Sequence, residues 1–84
     1  MSKADKMFKD LKFNKHSNNL LTYIEYTQKR GNEEAVISFD LKTKTTMTAL
    51  YVNKSPISRG CALYIEEIQA INEKWKELGW LNNE

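Results

Sequence analysis

Two short turns divide the middle of the chain into three strand-forming runs, and that spacing constrains the fold more than any other feature. Gly31-Asn32 separates the run 20–28 from the run beginning at Ala35, and residues 40–44 lead into the run 45–52. Connections this short keep consecutive strands side by side, so the runs predict a three-stranded antiparallel meander. The middle run alternates most clearly. Ala35, Ile37, Phe39 and Leu41 fall on one side and Val36, Ser38 and Asp40 on the other, which assigns the first group to the core. In the first run β-branched and aromatic residues dominate both sides: Leu20, Thr22, Ile24 and Tyr26 against Leu21, Tyr23, Glu25 and Thr27.

Helical periodicity flanks the strands. Met7, Phe8 and Leu11 share one side of a short lysine-rich segment over residues 3–11, and the cluster Asn14, His16, Ser17, Asn18 and Asn19 reads as a loop. Ile65, Ile68, Ile71, Trp75 and Leu78 recur every three or four residues, with Gly79 placed for a left-handed cap. The segment 55–61 holds Pro56 and Gly60 and reads as a loop. A rival start at Pro56, with Ser55 as N-cap, would put a glycine inside the helix and weaken it, which favours a start after Gly60. The expected fold is α+β in the order α-β-β-β-α, with the C-terminal amphipathic helix on the sheet. Its core holds Ile37 and Phe39 opposite Ile68 and Trp75.

Eighty-four residues predict a single domain, 1–84, that buries only about 60 to 65% of its unfolded surface, leaving little room for a deep catalytic cavity. One cysteine, Cys61, excludes an internal disulfide or a multi-thiolate metal site and fits a reducing compartment. No run approaches the roughly 18 apolar residues of a membrane span, so the expectation is a cytoplasmic protein with no membrane association. Catalytic constellations are missing. His16, the sole histidine, lies in a polar segment without a neighbouring nucleophile. Glu33-Glu34 and Glu66-Glu67 are adjacent pairs that do not face each other on a helix, and the three glycines are too far apart to form a phosphate loop. Cys61 reads as a small buried hydrophobe, although Arg59 nearby would lower its pKa. The expectation is a protein that is not an enzyme and holds no metal or cofactor.

Two binding surfaces remain. If the alternation stays in phase, Leu21, Tyr23, Val36, Leu50 and Val52 share the sheet face away from the C-terminal helix. Trp80, beyond Gly79, either folds back onto the helix or serves as an exposed anchor. So large an apolar face calls for a cover: the N-terminal helix through Met7, Phe8 and Leu11, a partner protein, or a second copy. The alternative partner is nucleic acid, met by Lys6, Lys9 and Lys12 of the basic N-terminal segment and by Lys29, Arg30, Lys42 and Lys44 of the two turns. The net charge of +2 names neither.

Met7-Phe8-x-x-Leu11-x-Phe13, the central stretch 37–42 (ISFDLK) and the ending 66–81 (EEIQAINEKWKELGWL) together resemble a group of small uncharacterised proteins encoded by phages and prophages of Gram-positive bacteria. The resemblance covers nearly the whole chain and implies a setting, the cytoplasm of a bacterial host, rather than a chemistry. The helix-strands-helix order is also similar to that of double-stranded-RNA-binding domains. Those domains meet phosphates with basic residues at the start of the last helix, where this chain has Glu66-Glu67.

Overall fold

The computed structural model describes residues 2–57 and 61–81. The elements run α1 (Lys3–Asp10), β1 (Asn14–Ser17), β2 (Tyr23–Arg30), β3 (Glu33–Asp40), β4 (Thr45–Val52), β5 (Ser55–Pro56) and α2 (Ile65–Glu77). The α+β class stands, but the antiparallel sheet has five strands in the order β1-β2-β3-β4-β5, not three. Both additions escape sequence reading for a physical reason. All four β1 side chains are exposed and polar, so no apolar alternation marks the strand. It forms because the free edge of β2 offers backbone donors and acceptors, pairing Asn14 with Thr27 through to Ser17 with Ile24. The two-residue strand β5 returns through Asn53 and Lys54, whose positive φ values of 52° and 66° suit a tight hairpin turn.

The central hairpins set the register. Arg30 pairs with Glu33 around Gly31-Asn32, where Gly31 takes φ 66°, and Asp40 pairs with Thr45 across the four-residue turn. Ile24, Phe39 and Thr46 therefore share one face, as do Tyr26, Ile37 and Thr48. Leu20 and Leu21 precede β2 instead of opening it. Leu21 sits at φ 53° in a turn held by the Asn18 side chain, whose Oδ1 accepts from the Thr22 N–H at 2.8 Å.

Both helices lie on that one face. Phe8 of α1 stacks on Tyr26 with ring centroids 3.9 Å apart, and Phe39 meets Phe8, Tyr26 and Trp80 at tilted or edge geometry. Phe13, Ile37, Ala70 and Ile71 complete the buried cluster. Ser2 caps α1, its Oγ accepting from the Asp5 N–H at 3.1 Å. Each helix ends in the same double hydrogen bond. Phe13 N–H reaches Phe8 O and Lys12 N–H reaches Lys9 O, while Trp80 N–H reaches Trp75 O and Gly79 N–H reaches Lys76 O. Gly79 takes φ 72° as its position predicts, but Lys12 adopts the same φ with a side chain.

The buried stripe of α2 differs from the expected one. Glu67, Ala70, Ile71 and Lys74 face inward, and Ile68 is 46% exposed. Two charges can lie on the inner side because each is paired. The Glu67 carboxylate accepts from Arg30 at 2.6 Å and from the Tyr64 N–H at 3.0 Å, and the Lys74 ammonium contacts Asp5 at 3.3 Å and Glu77 at 3.5 Å. Ile68 belongs to the surface because the helix is rotated by about one residue from the phase its isoleucines suggest. Trp75 remains on the inner side, its Nε1 donating to Thr46 Oγ1 at 2.8 Å.

Candidate functional site

The sheet face opposite the helices is open. Register places on it Asn14 and His16 of β1, Tyr23, Glu25, Thr27 and Lys29 of β2, and Glu34, Val36, Ser38 and Asp40 of β3. Thr45, Met47, Ala49 and Tyr51 of β4 complete it. Helix α1 does not cover this face, since its apolar side rests on Tyr26 and Phe39. Tyr23 is 40% exposed and Met47 65% exposed, on either side of Ser38, and with Glu25 and Asp40 they line a shallow recess. The loop residues Leu20 and Leu21, both strongly exposed, stand at the same end of the sheet, where the Leu41 N–H donates to Thr22 O. Glu25 makes no ion pair among the described residues. Asp40 accepts from the Lys42 and Thr43 N–H groups at 2.9 and 3.0 Å, which holds its carboxyl below the usual range and keeps a negative charge on the rim.

The structure divides the six residues expected to form an interface. Tyr23 and Val36 lie on the open face, Val36 largely buried among its neighbours. Leu21 is in the preceding loop. Leu50 and Val52 lie on the other face, because Leu50 pairs with Ala35 and Val52 with Glu33, both on the helix side. Trp80 folds back against Phe39 at 6.3 Å. Sequence reading missed Met47, Ala49 and Tyr51. The two turn lengths hold the signal that finds them: pairing Arg30 with Glu33 and Asp40 with Thr45 fixes the phase of β4, whereas its composition suggests the opposite phase.

The candidate cations are dispersed. Lys42 and Lys44 occupy the turn at one end of the sheet, whereas Lys29 and Arg30 are the last two residues of β2 at the other end and not part of the turn. Lys12 neighbours the second end, where Gln28 Nε2 donates to Leu11 O at 2.6 Å. Arg30 is engaged with Glu67, and Lys6 with Asp10 at 3.1 Å. Lys9 lies on α1, in the helix layer. His16 Nε2 is 3.2 Å from Thr27 Oγ1. Burial pushes the Cys61 thiol up, against the pull of the Arg30 charge. Arg59 lies outside the described residues.

The densest polar cluster joins the helices to the sheet. Asp5 accepts from Tyr26 Oη at 2.6 Å and Lys15 Nζ at 2.8 Å beside Lys74, while Glu77 accepts the Ala4 N–H at 2.8 Å. Partial burial pushes the Asp5 carboxyl up, but the bonds from Lys15 and Tyr26 and the Lys74 charge outweigh it and hold the group well below the ordinary carboxylate range. Burial and the bond to Asp5 push the Tyr26 hydroxyl far above its ordinary value near 10. Every member of the cluster is paired, which suits a fastening between elements. Among the described residues, no group of three or more His, Cys, Asp or Glu is placed to hold a metal ion, and no helix is long and apolar enough to cross a membrane.

A five-stranded antiparallel meander with both helices on one face is the class of small α+β protein that these elements define. No family model, curated protein or solved structure matches the chain.

Proposed function

We propose that the protein is a non-catalytic interaction module that receives another protein on the open face of its sheet. One observation carries this reading: the large exposed hydrophobic residues Tyr23 and Met47 lie on a face that neither helix covers, with the exposed Leu20 and Leu21 in the loop at the same end of the sheet. The recess between Tyr23 and Met47 is rimmed by Glu25 and Asp40. The partner it fits presents an apolar anchor flanked by basic side chains. What supports reading this role as that of an accessory or host-modulating factor in the bacterial cytoplasm is the resemblance to phage- and prophage-encoded proteins.

Nucleic acid is the weaker reading, because the candidate cations are split between opposite ends of the sheet and the helix layer, and Arg30 and Lys6 are already paired. A photo-crosslinking residue in place of Leu21, irradiated in the cells that encode the protein, should give a discrete adduct with a second protein. Tyr23→Glu should abolish that adduct and Lys9→Glu should leave it. Absence of an adduct, or one indifferent to Tyr23→Glu, would refute the assignment.

A further inference from the structure

The sheet treats its exposed edges unequally. On one side the edge is β1, only four residues long and carrying Lys15 and His16. On the other, β5 carries Pro56, which cannot donate to a ladder. Shortness, charge and proline are the means by which sheets avoid adding strands from other molecules. Strand β5, among the described residues, shields Tyr51 and Val52 of β4, and the Ile57 N–H beyond it reaches Leu50 O at 3.0 Å. Among the described residues nothing pairs with the same side of Thr45–Ala49, a stretch with no charge and no proline.

The direction of the free groups follows from that one bond. Since Leu50 O points outward to Ile57, the alternation of an antiparallel strand turns the N–H and C=O groups of Thr48 and Thr46 outward too, and those of Met47 and Ala49 toward β3. The stretch is nearly symmetric about Met47, with Thr46 and Thr48 on either side. We propose that the free edge of β4 pairs antiparallel with the same edge of a second copy, about a two-fold axis at Met47, joining two five-stranded sheets into one.

In this register Thr46 faces Thr48 of the second copy, and the reciprocal pair repeats the match, so outward groups meet outward groups in four hydrogen bonds. Threonine pairs on the helix side and the two Met47 side chains on the open side lie directly across from one another. A peptide of unrelated sequence would have no need of this symmetry, which selects a second copy as the occupant. The recess lined by Lys44, Thr46, Trp75, Trp80 and Leu81 flanks the edge on the helix side, so the added strand arrives beside two apolar rings with one lysine at their border. The pairing does not depend on what docks at Tyr23. It would double the open face into a continuous platform.

Sedimentation equilibrium over a concentration series tests the pairing, with hydrogen exchange of individual amides as its structural readout. The wild-type chain should show twice the monomer mass at the upper end of the series, with protection of the Thr46 and Thr48 amides rising in step. Met47→Lys sets two like charges at the axis, and Thr48→Pro removes an outward donor from each copy. Each should weaken association at least about tenfold, with far-UV circular dichroism unchanged. Tyr23→Glu, which disables the proposed partner site, should leave the dimer intact. If Thr48→Pro disturbs the fold, Met47→Lys and the amide protection decide. The proposal fails if the wild type stays monomeric throughout, if the dimer survives Met47→Lys, if Tyr23→Glu splits it, or if it forms without protecting Thr46 and Thr48.

Discussion

Asp5 bonds to β1 through Lys15, to β2 through Tyr26 and to α2 through Lys74, so one carboxylate joins three elements. Its folded-state pKa is depressed relative to the unfolded chain. The unfolded state therefore binds more protons in acid, and the contribution of Asp5 to stability is present above about pH 4 and lost as the pH falls below it. Tyr26 has the opposite sign. Its raised pKa gives a contribution complete below about pH 10 and lost as the pH climbs beyond. Asp5→Asn should lower stability at pH 7 by about 1 to 3 kcal/mol, since it removes one of the two carboxylates paired with Lys74, which is only 5% exposed, and the charge partner of Lys15. It should also flatten the acid limb of stability against pH, measured by urea unfolding between about pH 2 and pH 6. An acid limb as steep in Asp5→Asn as in the wild type would assign the pH dependence to other carboxylates.

At the scale of elements, the parts legible in the sequence were those in which local chemistry and tertiary packing agree. Helix α1, the two central turns, the inward set Ala35, Ile37 and Phe39, and the glycine cap of α2 all follow from residue type and spacing. Strands β1 and β5 were not legible, because no apolar alternation marks them and they are made by backbone pairing, helped in β1 by the Lys15–Asp5 and His16–Thr27 contacts. The phase of α2 was misread because Glu67 and Lys74 look like surface residues until Arg30 and Asp5, distant in sequence, are set beside them. For the open face, Tyr23 and Val36 were legible and Met47 was not, since a lone methionine among threonines carries no alternation signal. The corrected helix phase makes a sharp prediction. Ile71→Ala should cost about 2 to 5 kcal/mol as a core truncation, whereas Ile68→Ala at a half-exposed site should stay within about 1 kcal/mol. Equal losses in the two variants, measured by denaturant midpoints at constant m value, would restore the phase that the isoleucines suggest.

The whole molecule is a two-layer structure with one core, and its helix layer is drawn from both ends of the described chain. Phe39 is the residue at which these parts meet: its ring contacts Phe8 of α1, Tyr26 of β2 and Trp80 just beyond α2. Replacing it opens a void shared by both helices instead of loosening one. Phe39→Ala should cost about 3 to 5 kcal/mol, most of the margin of a small domain, and lower the thermal midpoint by more than about 10 °C. At concentrations low enough to keep the chain monomeric, Met47→Ala on the open face should shift it by no more than about 2 °C, because a side chain already in water leaves no cavity. The two tryptophans both lie in the helix layer, so their fluorescence reports on that layer while far-UV circular dichroism reports on the backbone as a whole. With a shared core the two signals should fall together in the wild type and in Phe39→Ala. A fluorescence transition that precedes the backbone transition would mean that the helix layer melts off a sheet able to persist without it, and the single core would have to be abandoned.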